Sequence, residues 1–159
     1  MEAPLYDKLG KPRLRFVLRA LEEKMRVITG LTEPFAVPAK LEIEHIMPQS
    51  WEANWPLPEG EQLGGKVAEA RRLVVHTIGN LTLVTKKLNA KLSNAAWAVG
   101  DGDSPAKRGT IQKYSLMILS KGVVDCPIWD ESMIAERGQR LFAHACAIWP
   151  RPSEGVAAA

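Results

Sequence analysis

The sequence predicts an α+β domain that is mostly helical: a short β-hairpin crossed by one helix and embedded in a helical body. Three observations predict it. Only two short stretches, LEIEHI at 41–46 and LTLV at 81–84, read as strands, too little for a parallel α/β sheet. The longer apolar patterns repeat at helical spacing. Of the 159 residues 46% are hydrophobic and 25% charged, ordinary usage for a chain that folds around one core. Residues 1–150 are read as one domain with its core at about 41–97, and RPSEGVAAA at 151–159 as a disordered tail.

The first element is a helix at about 12–29. Leu14, Val17, Leu18, Leu21, Met25 and Ile28 form its apolar face, Pro12 suits its first turn and Gly30 its end. Arg15, Arg19 and Arg26 lie on the other face. Pro34 and Pro38 make 31–40 an extended connector. The alternation of Leu41, Ile43 and His45 with Glu42, Glu44 and Ile46 gives a strand, ended by Pro48. Residues 49–65 form a long irregular loop, of a length that is usually functional. Val67, Ala70, Leu73 and Val74 suggest a short helix at 66–76, and Gly79 breaks the chain before the second strand. Thr85 is placed to cap a helix at 86–97. A second loop covers 99–107, and helices are expected at 108–121 and 130–148, the last with Asp130 as N-cap and Pro150 as its stop.

Charge and cysteine usage narrow the function. The net charge is +3, unevenly spread: residues 31–70 hold two lysines against seven acids, whereas 71–121 hold nine Lys/Arg against Asp101 and Asp103. Such asymmetry points to a polyanion partner, although a basic face is often only solvated surface. Cys126 and Cys146 are neither a C-x-x-C pair nor at zinc-knuckle spacing, so a cysteine-based zinc site is excluded, and the expectation is a reducing cytoplasm rather than secretion with a disulfide framework. No apolar run approaches the roughly 18 residues of a membrane span, and the N-terminus has no signal-peptide pattern.

The chemistry concentrates in Glu44-His45-Ile46-Met47-Pro48. Neighbouring strand residues point to opposite faces. Glu44 and His45 can serve one point only if the strand ends or twists there, with metal and base on either side of a phosphate. The second stretch is Gly79-Asn80-Leu81-Thr82-Leu83, and the third is Asn89, nine positions after Asn80. Neutral amide ligands suit a hard cation such as Mg²⁺.

These stretches carry a resemblance. EHIMPQSW, GNLTLVTKKLN and LSN together resemble the His-Me finger (ββα-metal, HNH) nucleases. The acid-His-Ile-x-Pro-Gln-Ser run and the two asparagines nine apart resemble the HNH domain of the RNA-guided CRISPR nuclease. The closer resemblance is to the C-terminal nuclease domain of GmrSD-type modification-dependent restriction enzymes and their SspE-like phage-defence relatives, which sense DNA phosphorothioate. It covers most of the chain: Arg15 to Glu22 resembles the family's leading helix, and Trp129, Arg137 and Ile148-Trp149-Pro150 its last. Each piece alone is weak; the set is fairly specific.

The resemblance implies a metal-dependent, nicking DNA endonuclease with a ββα-metal core, the effector of a restriction or anti-phage defence protein. It implies one Mg²⁺ (or Mn²⁺) per site, DNA as partner, and an N-terminal NTPase-like sensor domain in the full-length protein. His45 is then the general base and Glu44 a direct metal ligand. Asn89 is the second protein ligand, and Asn80 the structural asparagine that ties the hairpin loop together and helps orient His45. An imidazole with an ordinary pKa of about 6.5 suits the base role. Lys86, Lys87, Lys91, Lys107 and Arg108 are candidates for phosphate contacts from charge and position alone. Two features depart from the pattern: Glu44 is one methylene longer than the Asp of the CRISPR homologue, and VGDGDSPA stands inserted before Lys107.

Plainer readings stand beside these. Glu44-His45 reads also as a strand-end salt bridge, Asn80 as a turn residue, Asn89 as an exposed helix residue, and the lysines as a solvated face. His76 matches no role and His144 suits a surface face. The five tryptophans either stack on bases or anchor the core, with Trp129 and Trp149 the foremost core candidates, and both cysteines suit small core positions. The alternative function is a non-catalytic nucleic-acid-binding module on a decayed nuclease fold. A metalloprotease or serine hydrolase has no H-E-x-x-H helix or serine elbow to rest on.

Overall fold

A computed structural model describes residues 3–30, 36–98 and 106–151. Residues 152–159 of the expected tail, the first half of the connector and most of the 99–107 loop lie outside the described residues. The elements run α1 (Leu5–Leu9), α2 (Lys11–Ile28), β1 (Glu42–His45), α3 (Lys66–Val74), β2 (Leu81–Val84), α4 (Lys86–Leu92), α5 (Lys107–Tyr114), α6 (Ile118–Val124) and α7 (Glu131–Ile148). Single 3₁₀ turns at Trp51–Ala53 and Ile78–Asn80 complete them. The mostly helical α+β class expected from the sequence is what folds.

β1 and β2 pair antiparallel, with Glu42 opposite Val84, Ile43 opposite Leu83, Glu44 opposite Thr82 and His45 opposite Leu81. Two strands alone are marginal in water. Here helices cover both faces, and all four residues of β2 are buried. On one side Leu81 and Leu83 join Leu14, Leu18, Leu21, Leu119 and Leu141 of the flanking helices. On the other, Val84 joins Ile46, Trp51, Trp55, Leu88, Leu92, Trp97, Trp129 and Ile134. Thr82 is satisfied by a 2.9 Å contact to the Ser120 hydroxyl.

The hairpin's connection is pinned by α7. An added Cβ on Gly79 would stand 1.9 Å from the Ile134 carbonyl oxygen. Gly79 therefore serves close approach of two backbones rather than a special dihedral. Arg137, buried on α7, donates to the carbonyls of Gly79 (2.5 Å), Leu81 (3.0 Å) and Leu119 (2.9 Å). Burial pushes its guanidinium down to about 9, still charged at neutral pH.

The helix expected at 108–121 is two helices. Ser115 and Met117 are extended between them. The second starts where it does because the buried Glu22 carboxylate accepts from the N–H groups of Ile118 and Leu119, each at 2.9 Å. It caps α6 from another helix, with Arg26 paired to it at 2.7 Å. The helix expected at 86–97 stops at Leu92, because Ser93 takes φ +36°. The short α1 was not expected. Trp129 is buried as anticipated, but Trp149 is 43% exposed, on the rim beside Phe16, and Cys146 is exposed rather than in the core.

Candidate active site

The strand pairing sorts the site. Glu42 and Glu44 share the sheet face with Thr82 and Val84, and His45 shares the other with Leu81. Glu44 and His45 nevertheless line one cavity of about 320 Å³, together with Pro48, Gln49, Ser50, Asn89, Ala90, Ser93, Asn94 and Lys107. The condition read from the sequence is met by where the strand stops: β1 ends at His45, and the cavity opens across that end.

Asn80 fixes this strand end. It is fully buried, and its amide makes four hydrogen bonds. Nδ2 donates to the carbonyls of Met47 (2.8 Å) and Val75 (2.9 Å), and Oδ1 accepts from Met47 N–H (2.8 Å) and Trp129 Nε1 (3.1 Å). Its own carbonyl accepts from Ile46 N–H at 2.9 Å. Both donors and both lone pairs of the side chain are used. The residue after His45 and the one after that are thereby locked to the chain that begins β2.

His45 is 6% exposed. Its ring stands edge-on to Tyr6 (centroids 4.5 Å apart) and to His76 (5.3 Å). Gln49 Nε2 lies 3.3 Å from Nδ1. Burial, then the positive surroundings of His76, Lys107 and Lys11, push the imidazole down to about 3, so it is neutral at pH 7.

Glu44 is tied to Lys107, the first residue of α5, whose ammonium donates to Glu44 Oε1 (2.5 Å) and to the His45 carbonyl (2.7 Å). Lys107 has no exposed surface. Burial raises the Glu44 carboxyl and lowers the Lys107 ammonium, and their mutual attraction opposes both shifts. The backbone of Lys107 is fixed in turn by donation to the Ala96 carbonyl at 2.8 Å.

Asn89, half-buried on α4, donates from Nδ2 to Glu42 at 2.7 Å, so its amide oxygen is the atom that a cation could use. The helix is placed by the Thr85 hydroxyl, which accepts from Leu88 N–H at 3.3 Å as expected of an N-cap. A Glu44 oxygen not taken by Lys107 and the Asn89 amide oxygen are hard donors on one cavity. They fit a divalent cation such as Mg²⁺, which keeps several waters and needs few protein ligands. No group of three or more His, Cys, Asp or Glu that could hold a metal ion occurs among the described residues.

The basic candidates divide. Lys86, Lys87 and Lys91 are exposed on α4. Lys91 lies over the Tyr114 ring at 4.2 Å, beside a second cavity of about 210 Å³ that Lys87 also lines. Arg108 instead bonds the Val124 carbonyl at 2.6 Å, and Lys107 is inside, on the carboxylate. The sequence offered no role for Gln49, Tyr6 or His76; only the Pro-Gln-Ser run pointed to the first.

No helix among the described residues is long and apolar enough to cross a membrane. The model of one protein family, the C-terminal domain of GmrSD restriction endonucleases, matches residues 1–144. No curated protein and no solved structure matches the chain.

Proposed function

Because the chain belongs to the family of C-terminal domains of GmrSD restriction endonucleases, we propose that it is a metal-dependent DNA endonuclease domain of the HNH type, which nicks one strand per binding event. The observation that carries this reading is the convergence of Glu44, His45 and Asn89 on one cavity at the end of β1.

Glu44 and Asn89 would hold Mg²⁺ (or Mn²⁺). Bound there, the ion supplies positive charge to the scissile phosphate and to the leaving 3′ oxygen. His45, neutral at pH 7, takes the proton of the attacking water through Nδ1, the water taking the place of the Gln49 amide that reaches this nitrogen at 3.3 Å. A base so depressed is weak by itself, and the incoming phosphate, by its negative charge, raises its affinity for the proton. In-line attack leaves 5′-phosphate and 3′-hydroxyl ends. Lys107 holds one oxygen of Glu44 and the carbonyl of His45, so its part is to fix ligand and base relative to each other. Lys86, Lys87 and Lys91 are the groups available to flanking phosphates. In the full-length protein an N-terminal NTPase-like sensor domain would decide when the site is used against invading DNA.

Supercoiled plasmid incubated with Mg²⁺ should convert to open circles, and chelation should stop it. His45→Ala should lower the rate by about 10²–10⁴-fold with little change in DNA affinity. Equal nicking by that variant would reject the base assignment, and metal-free DNA binding without nicking would reject the enzyme.

A further inference from the structure

A general base must present its lone pair in one direction. Histidine bases and ligands are commonly fixed by a hydrogen bond on the other ring nitrogen. His45 Nε2 is buried and has no such partner among the described residues. Two rings flank the imidazole instead. Tyr6 and His76 stack on each other, with centroids 5.7 Å apart and planes 29° apart. His45 stands nearly perpendicular to both, at 70° to Tyr6 and 84° to His76. The pair is built into the backbone, because Tyr6 N–H donates to the His76 carbonyl at 3.2 Å. Leu5, Tyr6 and Leu9 of α1 pack on the core that includes Leu14 and Leu18 of α2.

We propose that Tyr6 and His76 are positioning residues that clamp the His45 ring from behind, so that α1 belongs to the active site. This rests on the nuclease reading for its kinetic consequence, though not for its structural one. With Gln49 donating to Nδ1, the ring proton sits on Nε2, which is buried and has no hydrogen-bond partner among the described residues. The clamp thus holds the ring so that Nδ1 meets Gln49 on the cavity wall; a ring left free to turn would exchange Nδ1 and Nε2 and lose that single tautomer. Tyr6 acts through its ring, so its hydroxyl should be dispensable.

Tyr6→Leu keeps bulk and removes the ring; Tyr6→Phe restores the ring without the hydroxyl; His76→Leu removes the other ring. Long-range ¹H–¹⁵N spectra of ¹⁵N-histidine-labelled protein at pH 7 should show one His45 tautomer, protonated at Nε2, in the wild type and Tyr6→Phe. Tyr6→Leu and His76→Leu should show averaged tautomers. In the plasmid assay the two Leu variants should lose about 10–100-fold in kcat with KM unchanged, and Tyr6→Phe should recover it. A single wild-type tautomer and full turnover in both Leu variants would overturn the proposal, as would a loss confined to KM. Should the wild type fail to nick while the spectra behave as stated, the nuclease reading falls and the clamp stands.

Discussion

The two ends of the Asn80 network treat buried polar groups in opposite ways. Toward α7, Asn80 uses all four hydrogen-bonding positions, Arg137 spreads its charge over backbone carbonyls, and Gly79 lets two backbones touch. Around the cavity the pairing is incomplete. Glu44 and Lys107 are held against the cost of burial, Ser93 sits at φ +36° on the cavity wall, and behind the cavity, toward α1, His45 Nε2 lacks a partner among the described residues. Satisfied polar groups make a scaffold, whereas tolerated strain and unpaired atoms are the usual marks of a functional site. The first region holds the end of β1 from which the second is built.

The contrast can be broken from either side. The largest effect should come from Gly79→Ala. Its Cβ meets the Ile134 backbone, so α7 must move, and a loss beyond about 4 kcal/mol is expected. Urea unfolding reads this, and a change under about 1 kcal/mol would mean that α7 does not pack this closely. Asn80→Ala follows, at about 3 kcal/mol or more, because it strands Met47, Val75 and the Trp129 indole together. Its nicking should fall even at temperatures where the fold persists, since Met47 is held two residues from His45. Unchanged nicking by folded Asn80→Ala would separate scaffold from site. The smallest effect distinguishes lysines. Replacing Lys86, Lys87 and Lys91 with Ala should flatten the salt dependence of DNA binding, by up to about one in slope for each phosphate no longer neutralised. Lys107→Met should leave that slope alone and impair cleavage. A flatter slope for Lys107→Met would place it on phosphate after all.

Much of the scaffold was legible because it is written locally. LTLV is bounded by Asn80 and the capping Thr85, and β2 runs over those four residues. The apolar spacing of α2 and the Asp130 cap of α7 set their ends to within a residue. What escaped is written between distant segments. The start of α6 depends on Glu22, 96 residues earlier, and no pattern near Ile118 signals it. Five residues of α1 are too few for periodicity to show. Lys107 reads as one more basic residue in a basic stretch until Glu44, 63 positions away, is folded against it. The residue types of the site were visible in the sequence; Tyr6 and His76 were not, because an aromatic contact leaves no spacing behind.

Gly79 has one further consequence. Every side chain assigned to the chemistry lies at or before Lys107, yet the turn that orients them is braced by a helix that begins at Glu131. A fragment ending between those two points would keep all the reactive groups and lose the frame that brings them to bear.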